Sequence, residues 1–139
     1  MTYEQVRVNG WSVMDAIHAT LLAFPIACFS LTVVTDAAYW WTENLLWLHF
    51  SEWLLLAGLL IGAIKLLVRI IDVPVRKVRP SWLAVLGGIV VLLLATVNSF
   101  IHTTDGWTAV VPYGLTLSIV TVLVMIVTAW FGRFGVYRV

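Results

Sequence analysis

The segment SWLAVLGGIVVLLLATVNSFIH, residues 81–102, contains no aspartate, glutamate, lysine or arginine. An α-helix rises about 1.5 Å per residue, so a helix of this length reaches about 30 Å, the thickness of the hydrocarbon core of a bilayer. Apolar segments of comparable length recur along the chain, at about 16–38, 46–70 and 110–132. The sequence therefore predicts an all-α integral membrane protein with four transmembrane helices.

The composition of the whole chain supports this class. Hydrophobic residues make up 62% of the sequence and charged residues 11%, and the mean hydropathy is +1.02, values that ordinary soluble domains do not reach. The 139 residues are predicted to form a single transmembrane domain over 1–139, because the four spans leave no length for a soluble one. A formal net charge of +1 argues against a nucleic-acid partner, which would require a basic surface.

The charged residues predict the orientation of the bundle. In an up-down arrangement, one side of the membrane holds all eight lysines and arginines with three acidic residues, and the other side holds the remaining four acidic residues. Positive residues favour the cytoplasmic side. We therefore expect both termini and the connector at 72–80 to be cytoplasmic, and the connectors at 40–44 and 103–107 to face outwards.

Gly58 and Gly62 form a GxxxG motif in the second predicted span. Small residues at this spacing let two helices approach closely, which increases van der Waals contact in a lipid environment. The motif is interpreted as a packing face within the bundle, with a homodimer face as the alternative.

Two histidines are predicted to lie at the same depth near the outer face. A crossing of about 20 residues that ends near Arg69 begins near His49, and the third span, starting near Ser81, brings His102 to its outer end. Two imidazoles on neighbouring helices can hold haem b through its axial positions, which makes His49 and His102 candidate ligands of haem iron. They are otherwise interfacial residues without a ligand. A zinc site that also includes Glu52 is less favoured, since no zinc-binding spacing motif is present.

Five further polar positions in or near the spans are candidate functional residues: Asp15, His18, Asp36, Glu52 and Asn98. The first two lie three positions apart near the cytoplasmic end and are interpreted as part of a local ion-pair cluster with Lys65, with a proton relay as the alternative. Asn98, in an apolar helix, is expected to form an interhelical hydrogen bond. If these polar groups faced one interior channel, they would line a pathway for protons or small solutes.

Several segments resemble the bacterial membrane family called domain of unknown function 2231. The resemblance rests on IHATLLAFPIA at 17–27, on Asp36 near the end of the first span, on VPYGLTLS at 111–118 and on AWFGRFGVYRV at 129–139. It implies a four-helix membrane bundle in the bacterial inner membrane and assigns no activity.

Three functions remain open at the level of sequence. One is an electron-transfer subunit that holds haem b near the periplasmic face and passes electrons from a periplasmic donor towards quinone. Another is a non-catalytic membrane anchor or accessory subunit of a larger complex, in contact with lipid and a protein partner. The last is the proton or solute pathway. No GxSxG, Walker loop, CxxC or paired-carboxylate motif is present, so the chain is not expected to be an enzyme on its own.

Overall fold

The computed structural model describes residues 13–76, 81–104 and 110–134. Within these ranges the chain forms four long helices and no strand: α1 Val13–Thr42, α2 Leu45–Arg76, α3 Trp82–Thr103 and α4 Leu115–Phe134, the last preceded by a short segment, Val110–Gly114, that is kinked at Val111. Four stretches are long and apolar enough to cross a membrane: Ala16–Thr42, Leu45–Val73, Trp82–Thr103 and Val110–Phe131. The prediction of an all-α protein with four membrane-spanning helices is confirmed.

The connection between α1 and α2 is shorter than the predicted connector at 40–44, because α1 continues to Thr42. Only Glu43 and Asn44 separate the two helices. Glu43 has a left-handed backbone conformation, with φ of 52°. The Asn44 side chain caps α2, since its Oδ1 accepts a hydrogen bond from the Leu46 backbone N–H at 3.0 Å. Tryptophan residues at a membrane interface do not break a helix. For this reason α1 extends beyond the predicted end of the first span.

The predicted connector at 72–80 is also partly helical, because α2 continues to Arg76. The sequence interpretation treated Pro74 as a helix breaker, but a proline in a membrane helix removes one backbone hydrogen bond without necessarily ending the helix. Ser81 occupies the N-cap position of α3 as expected, with extended backbone angles and no capping hydrogen bond from its side chain.

The helices pack in a ring. Consecutive helices pack on one another, and α4 also packs on α1. The apolar core at the centre of the ring contains Phe29, Leu55, Val91 and Ala95. Most other large apolar side chains are exposed, and in each span only 17–22% of the most apolar 18-residue window is buried. This surface suits a bundle whose outer faces contact lipid.

The GxxxG motif of α2 faces neighbouring helices of the same chain. A Cβ atom added to Gly58 would lie 2.6 Å from the ring of Phe29 on α1, and one added to Gly62 would lie 2.7 Å from Leu92 on α3. Both distances are too short for carbon atoms in contact. The motif therefore allows helices of the bundle to approach closely, in agreement with its interpretation as a packing face within the bundle.

Candidate functional site

The most buried ionisable residue described is Asp36 of α1, whose exposed fraction is 0%. It lies six residues before the end of α1 at Thr42, which places it about 9 Å from that end. A carboxyl group at this depth requires partners, because the hydrocarbon core offers no water to solvate it. Each of the other three helices, α2, α3 and α4, supplies a partner for this carboxyl group.

Three side chains hydrogen-bond the carboxyl group of Asp36. Ser51 of α2 donates through Oγ to Oδ1 at 2.5 Å, and Ser118 of α4 donates through Oγ to Oδ2 at 2.6 Å. His102 of α3 places Nε2 2.8 Å from Oδ1. Asn98 of α3 extends the network, since its Nδ2 donates to Ser118 Oγ at 2.7 Å. We call these five residues the Asp36 cluster; it connects all four helices.

The second nitrogen of His102 also has a partner. Nδ1 lies 2.9 Å from the backbone oxygen of Asn98, one helical turn earlier. A carbonyl oxygen can only accept, so Nδ1 must carry a hydrogen. The contact between Nε2 and Asp36 Oδ1 then requires one proton between those two atoms, whether the pair is written as imidazolium and carboxylate or as imidazole and carboxylic acid. In both forms the pair has no net charge, which suits its burial.

Two spacings of four residues build the cluster within α3 and α4. Asn98 and His102 are one turn apart on α3, so both face the interior. Gly114 and Ser118 are one turn apart at the start of α4. A Cβ atom on Gly114 would lie 3.0 Å from His102 Cε1, so a residue without a side chain is needed where the imidazole passes.

A polar layer surrounds the cluster on the α1 and α2 side. Thr35 is buried and its Oγ1 lies 2.7 Å from Ser51 Oγ. Thr32, one turn before Asp36, is also buried and donates to the backbone oxygen of Cys28 at 3.0 Å. Within the described part of the chain, Asn98 Oδ1 is a buried side-chain oxygen without a hydrogen-bond partner.

The Asp36 cluster contains the residue types of a hydrolytic triad but not its geometry. In a triad, histidine accepts the proton of the serine that attacks the substrate. Here Ser51 and Ser118 both donate to Asp36, and both ring nitrogens of His102 are already bonded. No group of three or more metal-ligating side chains occurs among residues 13–76, 81–104 and 110–134. The arrangement stabilises helix contacts and holds one proton, and it presents no activated nucleophile.

His49 and Glu52 form a separate pair on the outside of α2. His49 Nδ1 lies 3.2 Å from Glu52 Oε2, and the histidine side chain is 62% exposed. Two residues along a helix correspond to a rotation of about 200°, so His49 points outwards if Ser51 points inwards. The structure therefore gives His49 and His102 different surroundings and different partners.

The remaining candidates lie towards the other end of the bundle. His18 Nε2 is 2.9 Å from Asp72 Oδ2. Lys65 donates to the backbone oxygen of His18 at 3.3 Å. The side chain of Asp15 lies outside the described residues.

The apolar core separates the two polar ends. Phe29 and Leu55, which belong to it, have exposed fractions of 2% and 1%. They lie between His18 and Asp36 on α1 and between Ser51 and Lys65 on α2. The described residues of the pathway hypothesis are thus divided: Asp36 and Asn98 lie in the Asp36 cluster, Glu52 pairs with His49, and His18 lies at the opposite end.

The sequence interpretation identified Asp36, Asn98 and His102 but did not place them together, and it did not assign a role to Ser51. Ser118 appeared only within the VPYGLTLS segment. The available signal was the four-residue spacing of Asn98 and His102, which places two polar groups on one face of α3.

A multi-pass membrane protein with a buried, internally bonded polar cluster is the class that this fold and site define. The family model described as a predicted membrane protein, DUF2231, matches residues 14–139. The chain belongs to this family of membrane proteins, and the resemblance seen in the sequence is confirmed. The matched region contains the whole Asp36 cluster. No curated protein and no solved structure matches the chain.

Proposed function

We propose that this protein is a non-catalytic membrane anchor or accessory subunit of a larger complex in the bacterial inner membrane. The observation that carries this proposal is the double engagement of His102, whose two ring nitrogens bond to Asp36 and to the backbone of Asn98. A histidine that binds a substrate or a metal needs a nitrogen free for that task. The Asp36 cluster instead fastens the four helices to one another.

The outer surface of the bundle supports the same proposal. Exposed large apolar side chains occur on every helix, among them Leu31 on α1, Leu60 on α2, Leu93 on α3 and Leu123 on α4. Such faces contact lipid, and they also offer a surface on which the helices of a partner can pack. We further propose an up-down bundle with both termini in the cytoplasm, on the basis of the charge distribution.

Electron transfer through haem b stays a prediction, and it would require both histidines to change their surroundings. His102 would have to exchange Asp36 for iron, leaving a buried carboxyl group without that partner. His49 would have to turn from the exterior, and it could keep Glu52 on Nδ1 while Nε2 bound the iron. Axial ligation by both residues thus needs a rearrangement of His102 and a reorientation of His49. A quinone acceptor is part of the same hypothesis and depends on it.

The visible absorption spectrum of the purified protein tests the two alternatives directly. For an accessory subunit we expect no Soret band, and we expect His102→Ala to lower the thermal midpoint while His49→Ala leaves it unchanged. For haem binding, a Soret band would be present and both substitutions would weaken it. His18→Ala is the matched control, because His18 belongs to the opposite end of the bundle.

A second experiment addresses the partner. The protein, tagged at its own chromosomal locus and extracted in a mild detergent, is expected to migrate as an assembly larger than the detergent-solubilised chain alone. The same partner should be recovered in constant ratio over successive purification steps. Migration as a single chain at native expression level would contradict the proposal.

A further inference from the structure

The end of the bundle opposite the Asp36 cluster carries two basic residues inside or close to the apolar span of α2. Lys65 and Arg69 are four residues apart, on one face of the helix. Counted from Ser51 in the cluster, Lys65 lies about 21 Å and Arg69 about 27 Å along the helix axis. This places both near the opposite boundary of a hydrocarbon core of about 30 Å.

Lys65 is held against α1. Its Nζ donates to the backbone oxygen of His18 at 3.3 Å, and its side chain is half-buried. That contact uses one of the three donors of the ammonium group and does not neutralise its charge. The ammonium group is therefore fixed in position between α1 and α2 with donors available for an anion.

A described carboxylate that follows Arg69 in the sequence is already engaged by a histidine. Asp72, one turn beyond Arg69 in the sequence, lies 2.9 Å from His18 Nε2. Arg69 follows Lys65 by one turn on the same face of α2, a spacing at which two like charges repel each other. Further along the sequence follow the basic residues Arg76, Lys77 and Arg79. An anion between Lys65 and Arg69 would relieve the repulsion.

We propose that Lys65 and Arg69 form a binding site for the phosphate of an anionic membrane lipid. The guanidinium group matches a phosphate through two parallel hydrogen bonds, and the ammonium group supplies a point charge. Basic groups between membrane helices near the headgroup region bind lipid phosphates in this way. The lipid chains would then extend from this boundary into the hydrocarbon core beside the bundle.

A free phosphate ion has the same chemistry as a headgroup, but the position of the site favours the lipid. Lys65 belongs to the stretch Leu45–Val73, which is apolar enough to cross a membrane, so a ligand that reaches it must itself reside at the membrane boundary. This inference does not depend on the accessory role proposed above, because a lipid site of this kind would stabilise the bundle in any complex.

The experiment compares lipid binding to the full-length protein in a neutral detergent. Binding of dioleoyl phosphatidylglycerol and of dioleoyl phosphatidylcholine is measured by native mass spectrometry and by the thermal midpoint at matched lipid concentrations. We expect phosphatidylglycerol to bind about tenfold more tightly, a difference of about 1.4 kcal/mol. The double variant Lys65→Gln/Arg69→Gln should bind the two lipids equally.

The control variant is Lys77→Gln/Arg79→Gln, which removes the same charge from the segment that follows α2. It should keep the preference for phosphatidylglycerol. Loss of the preference in this control to the same extent, or equal binding of the two lipids by the wild type, would overturn the proposal. Inorganic phosphate at millimolar concentration should not compete, and full competition would also overturn it. If the double variant does not fold, Lys65→Gln alone serves the same comparison.

Discussion

Gly114 and His102 lie against each other where α3 meets the start of α4: a Cβ atom at position 114 would stand 3.0 Å from His102 Cε1. A side chain at position 114 would crowd the imidazole in the position from which it bonds to Asp36. The position of the ring is therefore set from two sides, by the carboxyl group of Asp36 and by the glycine.

Gly114→Ala is expected to lower the free energy of unfolding by about 1–3 kcal/mol, because the added methyl group displaces the imidazole from its hydrogen bonds. The thermal midpoint in detergent measures the effect. Gly88→Ala is the control, since a Cβ atom there meets nothing within 4 Å. Alanine favours a helix over glycine, so the control should be neutral or slightly stabilising, and equal losses in the two variants would contradict this account of Gly114.

His102→Ala and Asp36→Asn should differ in their cost. Removing the imidazole leaves a buried carboxyl group with one partner fewer, and a loss on the order of 3–5 kcal/mol is expected. An asparagine at position 36 still accepts from a serine and can donate to Nε2 of a neutral imidazole, so a loss of about 1 kcal/mol is expected. Chemical unfolding in mixed micelles measures both.

The double variant Asp36→Asn/His102→Ala completes the test of this pair. Its loss should be smaller than the sum of the single losses, because the two residues are in direct contact. Additive losses would show that the histidine and the carboxyl group do not stabilise the bundle as a pair.

Gly58→Leu and Gly62→Leu are both expected to reduce the yield and thermal midpoint of the folded protein, because each side chain would enter space occupied by Phe29 or Leu92. Gly58→Leu should cost more, since its added atoms meet a ring packed in the core, whereas the Leu92 side chain can change rotamer. An unchanged midpoint for both would place the motif against lipid.

The turn between α1 and α2 offers a prediction about the backbone. Glu43 has φ of 52°, a conformation that costs a residue with a side chain about 1–2 kcal/mol. Glu43→Gly should therefore raise the thermal midpoint slightly. Asn44→Ala should lower it, because the cap on the Leu46 N–H is lost, at about 1 kcal/mol. A lower thermal midpoint for Glu43→Gly than for Asn44→Ala would contradict this description of the turn.

The number of helices and their approximate positions could be predicted from the sequence because the length of an apolar run is a local property. The set of residues that forms the Asp36 cluster could not be predicted in this way. On a soluble helix, a polar face shows which side turns outwards, but α3 is apolar on nearly all sides, so its sequence does not fix its rotation about its own axis. Asp36, Asn98 and His102 were therefore recognised singly, and His102 was paired by depth alone with His49.

The rotation of α2 about its own axis shows why depth in the membrane was insufficient to predict which residues face the interior of the bundle. His49 and Ser51 are at almost the same height, and the structure turns the less conspicuous serine inwards. Serine is a common residue in membrane helices, where its hydroxyl usually bonds to the backbone of its own helix. Nothing local distinguished Ser51 or Ser118 from such residues, and the contact that gives each its role joins positions distant in the chain.

The bond between Ser118 and Asp36 spans 82 positions of sequence, so biogenesis must bring together the first membrane helix and the last. A ribosome that has delivered only α1 leaves Asp36 in or beside the lipid without His102 and Ser118, and the arrival of α2 provides Ser51 alone. The nascent bundle thus stays incompletely satisfied until α4 has been inserted. Chains that stall before that point carry an exposed intramembrane carboxyl group, a feature by which membrane quality control could distinguish unfinished molecules from finished ones.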